Sequence, residues 1–184
     1  MTFTADDALR LIENFDAGSD GLARKSKELA LGLLRHTGAP FSRDQFKPGH
    51  LTCTALIFHP DRRRVLLMHH HRLRRWLLPG GHIEKADTSL ALVAAREAKE
   101  ETNVEIDRGV APFLTGLDVH GIPMKRSEPF HLHHDLIWCF RAKTEAIEET
   151  EEAPQVLWAA ESDWHRLDVA DSIRQSIRRA AGSV

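Results

Sequence analysis

Three glutamates on one turn of a helix constrain this chain more than any other feature. Glu97, Glu100 and Glu101 stand at i, i+3 and i+4, so their carboxylates share one face of any helix that contains them. Like charges at that spacing repel, and a chain with no use for them would scatter them. A divalent cation removes the penalty, because hard oxygen ligands are what Mg²⁺, Mn²⁺ and Ca²⁺ take. Arg96 stands beside them as a fixed guanidinium able to orient a carboxylate, most naturally Glu100 four residues on. A bare E-x-x-E-E is more often a solvated acidic helix end. Its setting here points elsewhere.

That setting is one compact unit. Pro79-Gly80-Gly81 makes a turn in which glycine lets the backbone approach something closely. Asp87, Thr88 and Ser89 offer N-caps, and the Ala- and Leu-rich run that follows predicts a helix from about Leu90 to Thr102, closed by Asn103. The segment resembles a Nudix box, G-x5-E-x7-R-E-U-x-E-E-x-G-U with U apolar. Gly81 matches the first glycine, Arg96-Glu97-Ala98-Lys99-Glu100-Glu101-Thr102 the catalytic half, and Val104 the last apolar position. The departures are Asp87 in place of the first glutamate, one extra residue before Arg96, and Asn103 in place of the last glycine. The insertion falls in the loop ahead of the helix, where added length is cheap.

The resemblance implies an α/β fold, a Nudix-type α/β/α sandwich with a mixed sheet, over residues 47–182. It also implies a pyrophosphohydrolase that cleaves a nucleoside diphosphate linked to another group into a nucleoside monophosphate and a phosphorylated remainder. Mg²⁺ or Mn²⁺ would be the cofactor, held by Glu97, Glu100, Glu101 and the Gly80 carbonyl. Glu97 and Glu100 would be the catalytic acids, with Arg96 keeping them in register. In similar enzymes a later loop adds a further carboxylate, for which Glu151 or Glu152 would serve, Glu152 being preferred. Two other readings come with the fold: a non-catalytic nucleotide-binding module, which would commonly lack one of the acids, and an isopentenyl-diphosphate isomerase, which would want a cysteine in its pocket.

The rest of the chain sets the frame. Residues 1–46 predict a helical extension, with one short helix around Ala8–Phe15 and a second over Leu22–Arg35 whose stripe holds Leu22, Leu29, Leu33 and Leu34. A hairpin follows, Leu51–Phe58 and Val65–His69, turning at His59-Pro60-Asp61-Arg62. Arg72, Arg74 and Arg75 lie just before the glycine turn, where guanidinium forks suit phosphate oxygens. Phe113–Val119 and Phe130–Arg141 read as strands. On the second of these, alternation puts His131, His133, Asp135, Ile137 and Cys139 on one face. Zinc on His131, His133 and Asp135 is disfavoured, since i, i+2 and i+4 on one strand spread over about 13 Å. His133 is taken instead as part of a polar, substrate-facing pocket. Trp76, Phe130 and Trp138 are aromatic enough to stack on a base. A closing helix over Val169–Ala180 turns Ile173 and Ile177 inward and Arg174, Arg178 and Arg179 outward.

A net charge of −2 argues against a nucleic-acid binder, and no apolar run approaches membrane-spanning length. MTFTADDALR lacks the basic and apolar regions of a secretory signal, and the two cysteines lie in apolar runs as free thiols. The expectation is a cytoplasmic enzyme with a nucleotide-like small-molecule substrate, and a homodimer is compatible with the helical extension.

Overall fold

A computed structural model describes residues 2–125 and 128–182; Arg126, expected in the loop after the third long strand, lies outside them. The order of elements is α1 (Ala5–Glu13), α2 (Gly21–His36), β1 (Gly49–Phe58), β2 (Arg64–His70), β3 (Arg75–Leu77), β4 (Gly80–His82), α3 (Leu90–Thr102), β5 (Phe113–Ile122), β6 (His131–Arg141), β7 (Val156–Ala160) and α4 (Asp171–Ala181).

One mixed sheet runs β3-β2-β1-β6-β5, with β4 also pairing β1 and β7 also pairing β2. β1 and β2 form the expected antiparallel hairpin, closing at Phe58 opposite Val65. β1 and β6 run parallel over their whole length, from Gly49 opposite Leu132 to Phe58 opposite Arg141. Strand alternation then sorts the core into two layers. Leu51, Cys53, Ala55 and Ile57 of β1 pack with Leu136, Trp138 and Phe140 of β6 against α1, α2 and α3. Leu56 and Phe58 pack with Ile137 and Cys139 against Trp164, Leu167 and α4. The result is the expected α/β/α sandwich, with α1 and α2 as the N-terminal extension. No helix among the described residues is long and apolar enough to cross a membrane.

Two packing expectations are corrected. Leu22 and Leu29 are more than half exposed, and α2 buries Ala23, Ser26, Ala30, Leu33 and Leu34 instead. Small residues let the helix sit close to the sheet, close enough for the Ser26 hydroxyl to accept the Val119 amide of β5 at 3.1 Å. Arg179 does not point outward. Its guanidinium donates to the Thr115 carbonyl and pairs at 2.7 Å with Asp20, the N-cap of α2, so the last helix is tied to the N-terminal extension. Arg174 is likewise turned in, donating to the Trp164 carbonyl.

Candidate active site

The glycine turn and the acidic helix meet edge to edge. β4 lies on β1 with Gly80 opposite Thr54 and Gly81 opposite Cys53. A Cβ on Gly80 would come within 2.6 Å of the Thr54 backbone, and one on Gly81 within 2.6 Å of the Glu97 carboxylate. A Cβ on Gly80 would meet backbone, so that position is reserved for glycine by close approach, whereas one on Gly81 would displace the Glu97 carboxylate. Ser89 is the N-cap of α3, its hydroxyl accepting from the Leu92 amide at 3.2 Å. Asn103 ends the helix in the left-handed region, φ 52°, as an asparagine can.

Arg96 is the hub of the site. Its Nε and Nη2 donate in a fork to the two Asp87 oxygens, both at 3.1 Å. Nη1 donates to Glu97 at 2.9 Å and Glu100 at 3.1 Å, and Nη2 reaches the His82 carbonyl at 2.9 Å. Burial opposes the charge on Arg96, but Asp87 and Glu97 outweigh it and hold its pKa above the ordinary arginine value. Burial likewise opposes the charge on Asp87, yet the Arg96 guanidinium and the Glu84 amide keep that carboxyl below its usual range. The aspartate at the box's first acidic position, set back by one inserted residue, still reaches the arginine.

Glu97 and Glu101 are destabilised as charges. Burial raises the Glu97 pKa against the pull of Arg96. Glu101 is only 6% exposed, and burial pushes it to about 8. The Gly80 amide donates to its Oε2 at 2.9 Å and opposes the shift, while the charges of Glu97, Glu152 and Glu100 add to it. A hard-oxygen set with too much negative charge, packed against a glycine edge with no Cβ in the way, fits a divalent cation.

The other expected site residues fall in three places. Arg72, Arg74 and Arg75 are exposed on the turn and short strand that lead from β2 towards Gly80. Glu152 is exposed on the loop before β7, near enough for its charge to raise both Glu97 and Glu101, and its carbonyl accepts the His71 amide at 3.4 Å. Glu151 is absent from the main contributors to either shift. His133 sits on the opposite face of the sheet from α3, among other histidines. Asp135 is turned to Thr52, whose hydroxyl donates to it at 2.9 Å.

What sequence reasoning missed is that His50 of β1 and His82 of β4 join His133 there, with one ring nitrogen of each within 4.8 Å of the others. Burial and the neighbouring imidazoles push His133 down to about 2 and His82 to about 4. Of the aromatic residues, Trp138 is buried in the core, Trp76 is half-buried, and Phe130 is 62% exposed. Cys53 and Cys139 are buried free thiols in different core layers, and burial raises both pKa values, Cys139 to about 12.

The geometry agrees with two of three comparisons. The NUDIX domain model matches residues 49–181. A search of curated proteins finds no match. Among solved structures, the NUDIX domain of Shewanella oneidensis NrtR, complexed with ADP ribose, superposes with a TM-score of 0.55 at 21% identity, over 82% of this chain and 96% of that one. The Escherichia coli dihydroneopterin triphosphate pyrophosphohydrolase gives 0.55 at 20% identity, over 73% and 96%. The MutT protein of Bacillus halodurans gives 0.54 at 19%, over 72% and 82%. At such identities the structural likeness speaks for the fold, and the family model carries the membership. A box helix wired by Arg96, on the fold that the family model covers, leaves one conclusion: this chain belongs to the NUDIX family.

Proposed function

We propose that the chain is a divalent-metal-dependent pyrophosphohydrolase, cleaving a nucleoside diphosphate linked to a second group into a nucleoside monophosphate and the phosphorylated second group. The observation that carries this reading is the Arg96 hub, which holds Asp87, Glu97 and Glu100 together beside buried Glu101. Glu97, Glu100, Glu101 and the Gly80 carbonyl would hold Mg²⁺ or Mn²⁺. The cation supplies neutralisation of phosphate oxygens and a lowered pKa for the attacking water. Arg96 fixes the acids in place before substrate arrives, so little reorganisation is left for the reaction itself. Arg72, Arg74 and Arg75 stand on the approach to Gly80, suited to anionic oxygens of the substrate, and His133 remains a substrate-side residue in this reading.

Retention of Glu97, Glu100 and Glu101 speaks against a binding module that has lost its chemistry. The two buried thiols speak against an isomerase that needs a pocket cysteine. ADP-ribose, the ligand of the Shewanella domain, is a nucleoside diphosphate linked to a sugar and so belongs in the first panel.

The test is product release from nucleoside triphosphates, ADP-ribose, nucleotide sugars, NADH and dinucleoside polyphosphates with Mg²⁺ or Mn²⁺. Metal-dependent release of a monophosphate, lost in Glu100→Gln, is the expected result. A chain that neither cleaves any panel member nor binds metal would be a binding module on the same fold.

Glu152 is the acid whose charge reaches the cluster without an ion pair to Arg96 among the described contacts, which suits it to accept a proton from the attacking water. Glu152→Gln is therefore expected to lower kcat by on the order of 10²-fold with KM nearly unchanged, the scale of a lost general base. Glu151→Gln should stay within about twofold. Equal effects of the two substitutions in steady-state kinetics would remove Glu152 from the mechanism.

A further inference from the structure

The sheet face opposite the box helix carries a second donor set of different chemistry. His50, His82 and His133 come from three strands that pairing brings side by side. His50 and His133 are direct partners in the parallel β1–β6 ladder, and His82 pairs with Thr52, two residues along β1 from His50. Ring centroids lie 4.9 Å apart for His50 and His133, 5.1 Å for His50 and His82, and 5.2 Å for His82 and His133. One nitrogen from each ring lies within 4.8 Å of the other two. An ion bound at 2.0–2.1 Å to three imidazoles in tetrahedral array would set those nitrogens about 3.4 Å apart. Side-chain rotation would have to close a gap of up to about 1.4 Å.

A second observation points to a ligand. His50 is 1% exposed, and its Nε2 is buried without a hydrogen-bond partner. Its Nδ1 lies 3.1 Å from the Gln45 carbonyl, which can only accept, so Nδ1 carries the proton and Nε2 carries a lone pair. A ring nitrogen donating to a backbone carbonyl while the other stays free is the arrangement that orients metal-binding histidines. Left empty, that buried acceptor has lost its water without gaining a partner. His131 braces the cluster: its Nδ1 is bonded to the Pro129 carbonyl at 2.8 Å and its ring stacks on His50 at 5.1 Å.

We propose that His50, His82 and His133 form a binding site for one first-row transition-metal ion, with Zn²⁺ as the preferred occupant. Imidazoles without a carboxylate among them suit Zn²⁺ and its neighbours in the series and disfavour Mg²⁺ and Ca²⁺, so the two sites sort their ions by ligand hardness. Three protein ligands leave a fourth position of a tetrahedral ion for a water or a substrate oxygen. The His82 carbonyl is also an acceptor for Arg96, so the backbone of β4 links the imidazole site to the carboxylate site.

The experiment titrates the chelator-stripped full chain with Co²⁺ in excess Mg²⁺, which occupies the carboxylate site. One equivalent of Co²⁺ should develop the visible bands of a tetrahedral ion, and Zn²⁺ should abolish them. His50→Asn and His133→Asn should each weaken Zn²⁺ binding by roughly 100-fold or more, read by competition with a chromophoric chelator in protein shown folded by circular dichroism. The double variant Glu97→Gln/Glu101→Gln should keep the bands. X-ray absorption on the Zn²⁺-loaded native chain, which needs no variant to fold, should report three imidazole ligands. An oxygen-only shell, displacement of Co²⁺ by Mg²⁺, bands lost with the carboxylates but kept without His133, or no binding at all would each overturn the site.

Discussion

Arg96→Met is expected to destabilise the protein by about 3 kcal/mol and to lower kcat by on the order of 10²–10³-fold in whatever folds. The substitution keeps the aliphatic bulk and removes only the guanidinium. Asp87, which is 8% exposed, would lose both of its arginine contacts, and Glu97 would lose the bond that opposes its burial. Breaking a partly buried ion set from one side costs more than the set itself contributes, because the abandoned carboxylates stay desolvated. The loss carries a pH signature. The folded pKa of Asp87 is depressed in the native chain, so its contribution is present above the unfolded value near 3.8 and disappears as pH falls through the folded one. The gap between native and variant stability should therefore be widest near neutrality and close as pH falls below 3.8 and through the folded value. Urea denaturation at several pH values, read beside steady-state kinetics, measures both parts. A variant that unfolds with the native chain and turns over at its rate would make Arg96 an ordinary surface cation.

The box helix was readable because its signals are local. Ser89 and Asn103 bracket an Ala- and Leu-rich run, and the helix spans Leu90–Thr102 as that run predicts. The alternation on β6 placed Ile137 and Cys139 on one face and Leu136, Trp138 and Phe140 on the other, and these are the two core layers. Spacing within the helix also foretold the Arg96–Glu100 contact. Asp87 was harder, since a loop with one inserted residue gives no rule for whether its carboxylate still reaches the arginine. The histidine site was out of reach for a different reason. The length of strand they span disfavoured His131, His133 and Asp135 as one ligand set, and only the pairing of β1 with β6 and β4 brings His50 and His82 to His133. The Asp20–Arg179 pair joins residues near opposite ends of the chain, and no periodic pattern announces it.

Metal binding should expel a proton from this protein, and Glu101 is the reason. Its folded pKa is raised from 4.5 to about 8, chiefly by burial. Between those values the unfolded chain is ionised at this position while the metal-free folded chain still holds the proton. Unfolding then releases protons, so stability falls as pH rises from about 4.5 to 8 and levels off above, a total on the order of 5 kcal/mol at this one group. Glu97 shifts in the same direction and adds to the slope. A cation coordinated by Glu101 needs the carboxylate, so below pH 8 each binding event should release up to one proton, and affinity for Mg²⁺ or Mn²⁺ should climb with pH until Glu101 is ionised. Calorimetric titration in two buffers of different ionisation enthalpy counts that proton directly, and thermal melts with and without metal follow the stability arm. Glu101→Gln should flatten much of the metal-free pH profile, since an amide can still accept the Gly80 amide hydrogen and has no charge to bury. The same substitution should weaken metal binding and remove most of the released proton. A native chain that binds Mn²⁺ with no proton release at pH 7 would mean that Glu101 is already ionised and that its burial does not govern the site.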